Sequence, residues 1–147
     1  MPKASTISKV RFHFLQRNFS LSQRSALKAI LQTLFKKEGR RLGSIDYIFC
    51  SDPYLLSVNR QFLQHDFYTD IITFDLSDPG QPLNAEIYIS IDRVKDNAHN
   101  YDSSFKRELH RVIFHGALHL CGYGDKKPKE AQIMRKMEEK YLASYFK

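Results

Sequence analysis

The chain of 147 residues is poor in cysteine: Cys50 and Cys121 are its only two, too few for a disulfide framework. Both sit among apolar neighbours, so a reduced, cytoplasmic protein is the simplest expectation. No apolar run approaches the length of a membrane helix, and no membrane partner is expected. Met1 to Leu15 lacks the apolar stretch of a secretory signal. Internal repeats, linkers and low-complexity segments are also missing, which leaves one domain over 1–147, long enough to bury a core.

Acids are scarce at the start of the chain. Residues 1–41 hold ten Lys/Arg against Glu38 alone, residues 42–100 hold three bases and nine acids, and the remainder is basic again, for a net charge of +7. Opposed basic and acidic zones suit a polyanion better than an anionic lipid surface, which would repel the acidic middle.

Hydrophobic periodicity gives an α+β fold. Val10 to Leu15 alternates and is aromatic-rich, the mark of a first strand. Ser20 and Gln23 form a capping-box start for a helix whose Leu27, Ile30, Leu31, Leu34 and Phe35 make one apolar stripe, stopped at Gly39. Ile45 to Cys50 is a second strand. Asp52 and Pro53 open a helix with Leu55, Val58 and Phe62 inward. Thr69 to Leu76 and Ala85 to Ile91 are the third and fourth strands, joined through the turn Asp78-Pro79-Gly80. The short link makes the last two antiparallel, and the helical crossovers before them make parallel neighbours. The expectation is a mixed four-stranded sheet, three strands parallel and one antiparallel, packed by about five helices. The last three helices are a short one over 92–100, one from about Ser103 to Cys121, and one opened by Pro128. The inner stripe of that final helix is Ile133, Met134, Met137, Tyr141 and Tyr145.

Chemistry concentrates in His115-Gly116-Ala117-Leu118-His119-Leu120-Cys121-Gly122-Tyr123-Gly124-Asp125. Histidines four apart share a helix face and can hold one metal ion. Gly122 ends the helix, so the chain can double back and bring Asp125 to the same point. Two imidazoles and a carboxylate leave one tetrahedral position open, as in a catalytic zinc site on a zincin-like helix, although non-haem iron uses the same set. Gly116 costs about 1 kcal/mol against Ala in mid-helix, which implies close approach of a backbone or a substrate. Glu108, nearly two turns before His115, is either an acceptor for an imidazole N–H or a solvated acid. His110 points away from the pair, and Cys121 reads as core rather than ligand.

The same segment resembles the signature of the YbeY family, bacterial endoribonucleases and rRNA maturation factors, whose usual pattern is H-G-x-L-H-L-x-G-Y-D-H with three histidines on zinc. Asn59 and Phe62 resemble the family's L-N-x-x-F block. Thr69-Asp70-Ile71-Ile72-Thr73-Phe74 resembles its T-D-V-L-S-F strand, and Glu86-Ile87-Tyr88-Ile89 its acidic strand. Two departures stand out. Asp125 takes the third histidine's place, with Gly124 where the pattern has Asp, and Leu63 stands where many members carry an arginine thought to handle the phosphate backbone.

The resemblance implies a zinc-dependent endoribonuclease that hydrolyses single-stranded RNA in rRNA maturation and ribosome quality control. It would carry one Zn(2+) per chain on His115, His119 and Asp125, with rRNA precursors and the small ribosomal subunit as partners. Basic residues suited to the RNA backbone are Arg24, Lys28, Lys36 and Lys37 with Arg40 and Arg41 beyond, then Arg60, Lys126, Lys127 and Lys129. Phe67, Tyr68 and Tyr123 could stack bases. No general base is obvious; Asp70 and Glu86 are the polar candidates. A zinc peptidase is the rival enzyme, though Gly116 stands where H-E-x-x-H peptidases have glutamate. A non-catalytic rRNA or ribosomal-subunit binding factor with a structural metal is the other alternative.

Overall fold

The computed structural model describes residues 9–16 and 19–147; most of the stretch inspected for a signal lies outside them. Strand β1 is Val10–Phe14, helix α1 Arg24–Lys37, β2 Leu42–Cys50 and α2 Asp52–Val58, which runs on into a π-helical turn, Asn59–Leu63. Strands β3 (Ile71–Asp75) and β4 (Leu83–Ser90) follow, then helices α3 (Ile91–Asn100), α4 (Phe105–Leu120) and α5 (Pro128–Tyr145).

The sheet has the expected composition, with order β1-β2-β4-β3, β1, β2 and β4 parallel, and β3 antiparallel to β4. The order differs from a simple succession, because β2 pairs with β4 and β3 is the edge. Burial explains this. Leu83, Ala85, Ile87 and Ile89 of β4 are wholly buried, which suits a central strand, whereas only Ile72 of β3 is buried.

Helices α1 and α4 pack one face of the sheet, and α5 packs on them. Leu27, Leu31, Leu34 and Phe35 of α1 meet Ile113, Phe114, Ala117 and Leu118 of α4 in one core with Tyr47, Phe49 and Ile87 from the strands. The buried Tyr47 hydroxyl donates to the Ile113 carbonyl at 2.9 Å, tying β2 to α4. A small second core of Cys50, Leu55, Val58 and Ile72 lies under α2 on the other face.

Several local expectations are corrected. Helix α1 starts at Arg24 with Gln23 as its cap in the left-handed region, φ 54°, so no Ser20 capping box forms. The α2 cap is Ser51, whose hydroxyl accepts from the Tyr54 N–H at 3.3 Å. Asp52 instead pairs with Arg93 at 2.7 Å. The π-helical turn rotates the chain after Val58, and Phe62 is 61% exposed rather than inward. Ile133 is 52% exposed, and the inner stripe of α5 is Met134, Glu138, Tyr141 and Leu142.

Candidate active site

Helix α4 carries both histidines and sits tight against the sheet. A Cβ on Gly116 would stand 2.8 Å from Ile71 Cδ1 and 3.1 Å from Ile87 Cδ1, so the glycine is there for close approach to β3 and β4. Gly122, at φ 105°, ends the helix in a Schellman motif, with Tyr123 N–H donating to Leu118 O at 3.1 Å and Gly122 N–H to His119 O at 3.0 Å. That turn delivers Asp125 back to the helix face. Beside it, Glu130 accepts from the Lys127 N–H, and a Cβ on Gly124 would meet the Glu130 carboxylate at 3.0 Å.

A cleft of about 450 Å³ opens there, walled by Thr69 to Ile71 at the start of β3, by His115 and His119 of α4, and by Ala131, Arg135 and Glu138 of α5, with Asp125 at its side. His115 is the hub. Its Nδ1 lies 2.7 Å from Glu138 Oε2 and its Nε2 3.3 Å from Asp125 Oδ2. His119 Nδ1 lies 3.1 Å from the Tyr123 carbonyl. Ionised carboxylates and carbonyls only accept, which assigns the proton to Nδ1 of each neutral ring and leaves each Nε2 a lone pair. A lone pair facing a carboxylate oxygen calls for a proton or a cation between them. Two ligands about 2.1 Å from a tetrahedral zinc stand about 3.4 Å apart. The His115–Asp125 separation is compatible with that. His119 is exposed on the same cleft, and among the described residues no three His, Cys, Asp or Glu side chains already surround one point.

Behind His115 runs a buried chain of charge. Glu138 is 2% exposed and accepts from Arg111 at 3.2 Å as well as from His115. Arg111 also grips Glu108 through two hydrogen bonds of 2.9 and 2.7 Å. Burial alone would raise the Glu138 carboxyl, but the His115 hydrogen bond and the Arg111 charge more than reverse it and hold it below the usual range. Asp70 shows the opposite balance. Burial pushes its carboxyl up, Arg111 and His115 offset part of that, and its Oδ2 accepts from Asn97 Nδ2 at 3.1 Å.

Of the two polar candidates for a general base, Asp70 lines the cleft and Glu86 does not. Glu86 faces the other side of the sheet, where it accepts from the Tyr88 hydroxyl at 3.0 Å in a separate hollow with Asp46 and His13. Glu108 is a buried partner of Arg111 rather than a neighbour of either imidazole, and His110 is buried, stacked on Tyr145 at 4.9 Å. The basic candidates of α1 do not line the cleft. Arg24 lies 4.6 Å over the Phe14 ring, Lys28 5.8 Å over Phe12, and Lys36 borders another groove with Arg40 and Arg41, while Lys37 is exposed. Arg60 pairs with Asp66, and Lys126, Lys127 and Lys129 are exposed just beyond Asp125. Phe67 and Tyr68 are exposed, but the Tyr123 hydroxyl donates to Glu38 at 2.7 Å, which removes that ring as a free platform. Leu63 is not on the cleft wall.

Glu138, Arg111 and Arg135 were missed. One signal was available for Glu138: an acid four residues after Met134 and three before Tyr141 interrupts an apolar stripe, which implies a buried, paired carboxylate.

Known proteins resemble this chain throughout. The sequence profile of the family described as endoribonuclease YbeY matches residues 11–146. A Cytophaga hutchinsonii protein named endoribonuclease YbeY is 52% identical over 125 residues, 85% of this chain and 87% of that one. Its namesake from Phocaeicola vulgatus is 55% identical over 105 residues, 71% of this chain and 75% of that one. The solution structure of a Thermotoga maritima protein superposes with a TM-score of 0.62 at 27% identity, covering 93% of this chain and 89% of that one. On profile, identity and architecture together, the chain belongs to the YbeY family.

Proposed function

We propose that this protein is a zinc-dependent endoribonuclease that hydrolyses phosphodiester bonds of single-stranded RNA. Its finer setting, rRNA precursors matured with the small ribosomal subunit in the cytoplasm, comes from the family resemblance and belongs to the same proposal. The observation that carries the catalytic part is His115, held at Nδ1 by the buried Glu138 while its Nε2 faces Asp125 at 3.3 Å. Such backing by a carboxylate is what orients a metal-binding imidazole and raises its basicity.

His115, His119 and Asp125 would hold the ion. When bound, zinc supplies a Lewis acid for the phosphoryl oxygen and lowers the pKa of a coordinated water. The protein's own side chains do the rest. Glu138 keeps the His115 proton on Nδ1, the Tyr123 carbonyl does the same for His119, and Arg111, anchored by Glu108, keeps Glu138 ionised and in place. Asp70, which lines the same cleft, is the carboxyl group suited to exchanging a proton with substrate, because burial raises its affinity for one. The absence of a glutamate after His115 disfavours the peptidase alternative.

Cleavage of end-labelled single strands, duplexes and a protein panel tests this. The expected result is cutting of single-stranded RNA alone, reduced at least a hundredfold in His115→Ala and Asp125→Ala. Undiminished cutting in those variants, or digestion of protein only, would overturn it.

A further inference from the structure

Two guanidinium groups reach the cleft wall, and they are in different states. Arg111 is 15% exposed and fully engaged, between Glu108 and Glu138. Arg135, one turn before Glu138 on α5, is 62% exposed, and its Nε is 3.9 Å from Glu138 Oε1. That oxygen already accepts from Arg111, and the other one accepts from His115. Arg135 is in ion-pair range of Glu138, but among the described residues no hydrogen bond fixes its guanidinium. Helix α5 turns Ala131, Met134, Arg135 and Glu138 toward the cleft. Ala131, four residues before Arg135, lines the same cleft as Asp125 with only a methyl group.

We infer that Arg135 is the residue that grips a non-bridging phosphate oxygen of the substrate strand and sets the scissile phosphate beside His115 and Asp125. The planar guanidinium suits two oxygens of one phosphate, and a partly shielded cleft strengthens the contact relative to open surface. Arg111 cannot do this without abandoning the buried Glu108 and Glu138, whereas Arg135 can turn to a phosphate and leave Glu138 with both stronger partners. The assignment rests on the endoribonuclease reading, and the experiment separates the two.

Wild type, Arg135→Ala and Arg135→Lys are compared in two ways: steady-state cleavage of a single-stranded RNA, and anisotropy binding of the same sequence, verified intact on a gel at every point, across a salt series. In Arg135→Ala, KM rises about tenfold, kcat changes less, and the slope of log affinity against log salt becomes shallower by about 0.7, the share of one phosphate contact on a single strand. Arg135→Lys recovers the slope and part of KM. Zinc content and the thermal midpoint stay at wild-type values in both variants. Unchanged KM and slope in Arg135→Ala overturn the inference, as does loss of zinc, which would mean that Arg135 acts through Glu138. If wild type cuts no RNA, the endoribonuclease reading falls by itself, and the binding slopes still decide for or against Arg135.

Discussion

Glu138 is the side chain on which the cleft's order depends. It is buried, it accepts from both His115 and Arg111, and no water-exposed acid could hold an imidazole so fixedly. Glu138→Ala removes the acceptor that His115 and one Arg111 N–H share, while Arg111 keeps Glu108, and should cost about 2 kcal/mol in urea unfolding. The same change should weaken zinc binding between about tenfold and a hundredfold by removing the imidazole's backing. A loss under 1 kcal/mol would show that Arg111 and His115 find other partners. Asp46 gives a pH test. Its carboxyl is held below the usual range by two hydrogen bonds from Arg11, 2.7 and 2.9 Å, with His13 adding to the effect against a smaller rise from burial. A lowered folded-state pKa means stability that is present above the unfolded value, about 3.9, and lost as pH falls through the folded one. Asp46→Asn should therefore flatten the acid limb of a stability–pH curve, and an unchanged limb would count against the pairing.

At the scale of elements, the contact between α4 and the β3–β4 hairpin fixes where the histidines stand. Gly116→Val would force a branched side chain into the space held by Ile71 and Ile87, and should destabilise by about 2 kcal/mol while also loosening zinc retention. Stability rising toward that of a better helix former would contradict the packing described. Most elements were legible in the sequence because their periodicity agreed with their burial: the α1 stripe, the alternating β4 and the Gly122 stop all stand where the pattern put them. Phe62 was not legible, because a π-helical turn changes the phase of a helix without any marked change in composition. Nor was the strand order, since a hairpin's two strands can trade places in a sheet without altering their own alternation. Within the cleft, His115, Asp125 and Asp70 could be found because they lie in or beside recognisable motifs. Glu138 and Arg135 lie on α5, whose approach to the histidines only the packed structure shows, and Arg111 stands one turn before His115 on α4, where an arginine alone does not mark a buried ion pair.

Across the whole molecule, the opposed charge zones of the sequence partly neutralise each other. Arg11 pairs with Asp46 and Arg40 with Asp75, each joining the basic opening to the acidic middle. Arg11 lies on β1 and Arg40 just past α1, and the bases of α1 itself stand away from the cleft. The exposed Lys126 and Lys127, just beyond Asp125, are better placed. Reversing both to Glu should weaken single-strand binding far more than reversing Arg24 and Lys28, with the gap closing as salt rises. Equal losses from the two pairs would return the interface to α1.

Everything at the cleft turns on whether one ion joins His115, His119 and Asp125. Zinc titration of the metal-stripped protein, followed by calorimetry and by the thermal midpoint, is the most direct measurement. The expected result is one equivalent bound, with a midpoint that climbs as free zinc exceeds its Kd, and clearly weaker binding in His115→Ala, His119→Ala and Asp125→Ala alike. Binding that is absent in wild type, or undiminished in all three variants, would contradict the account.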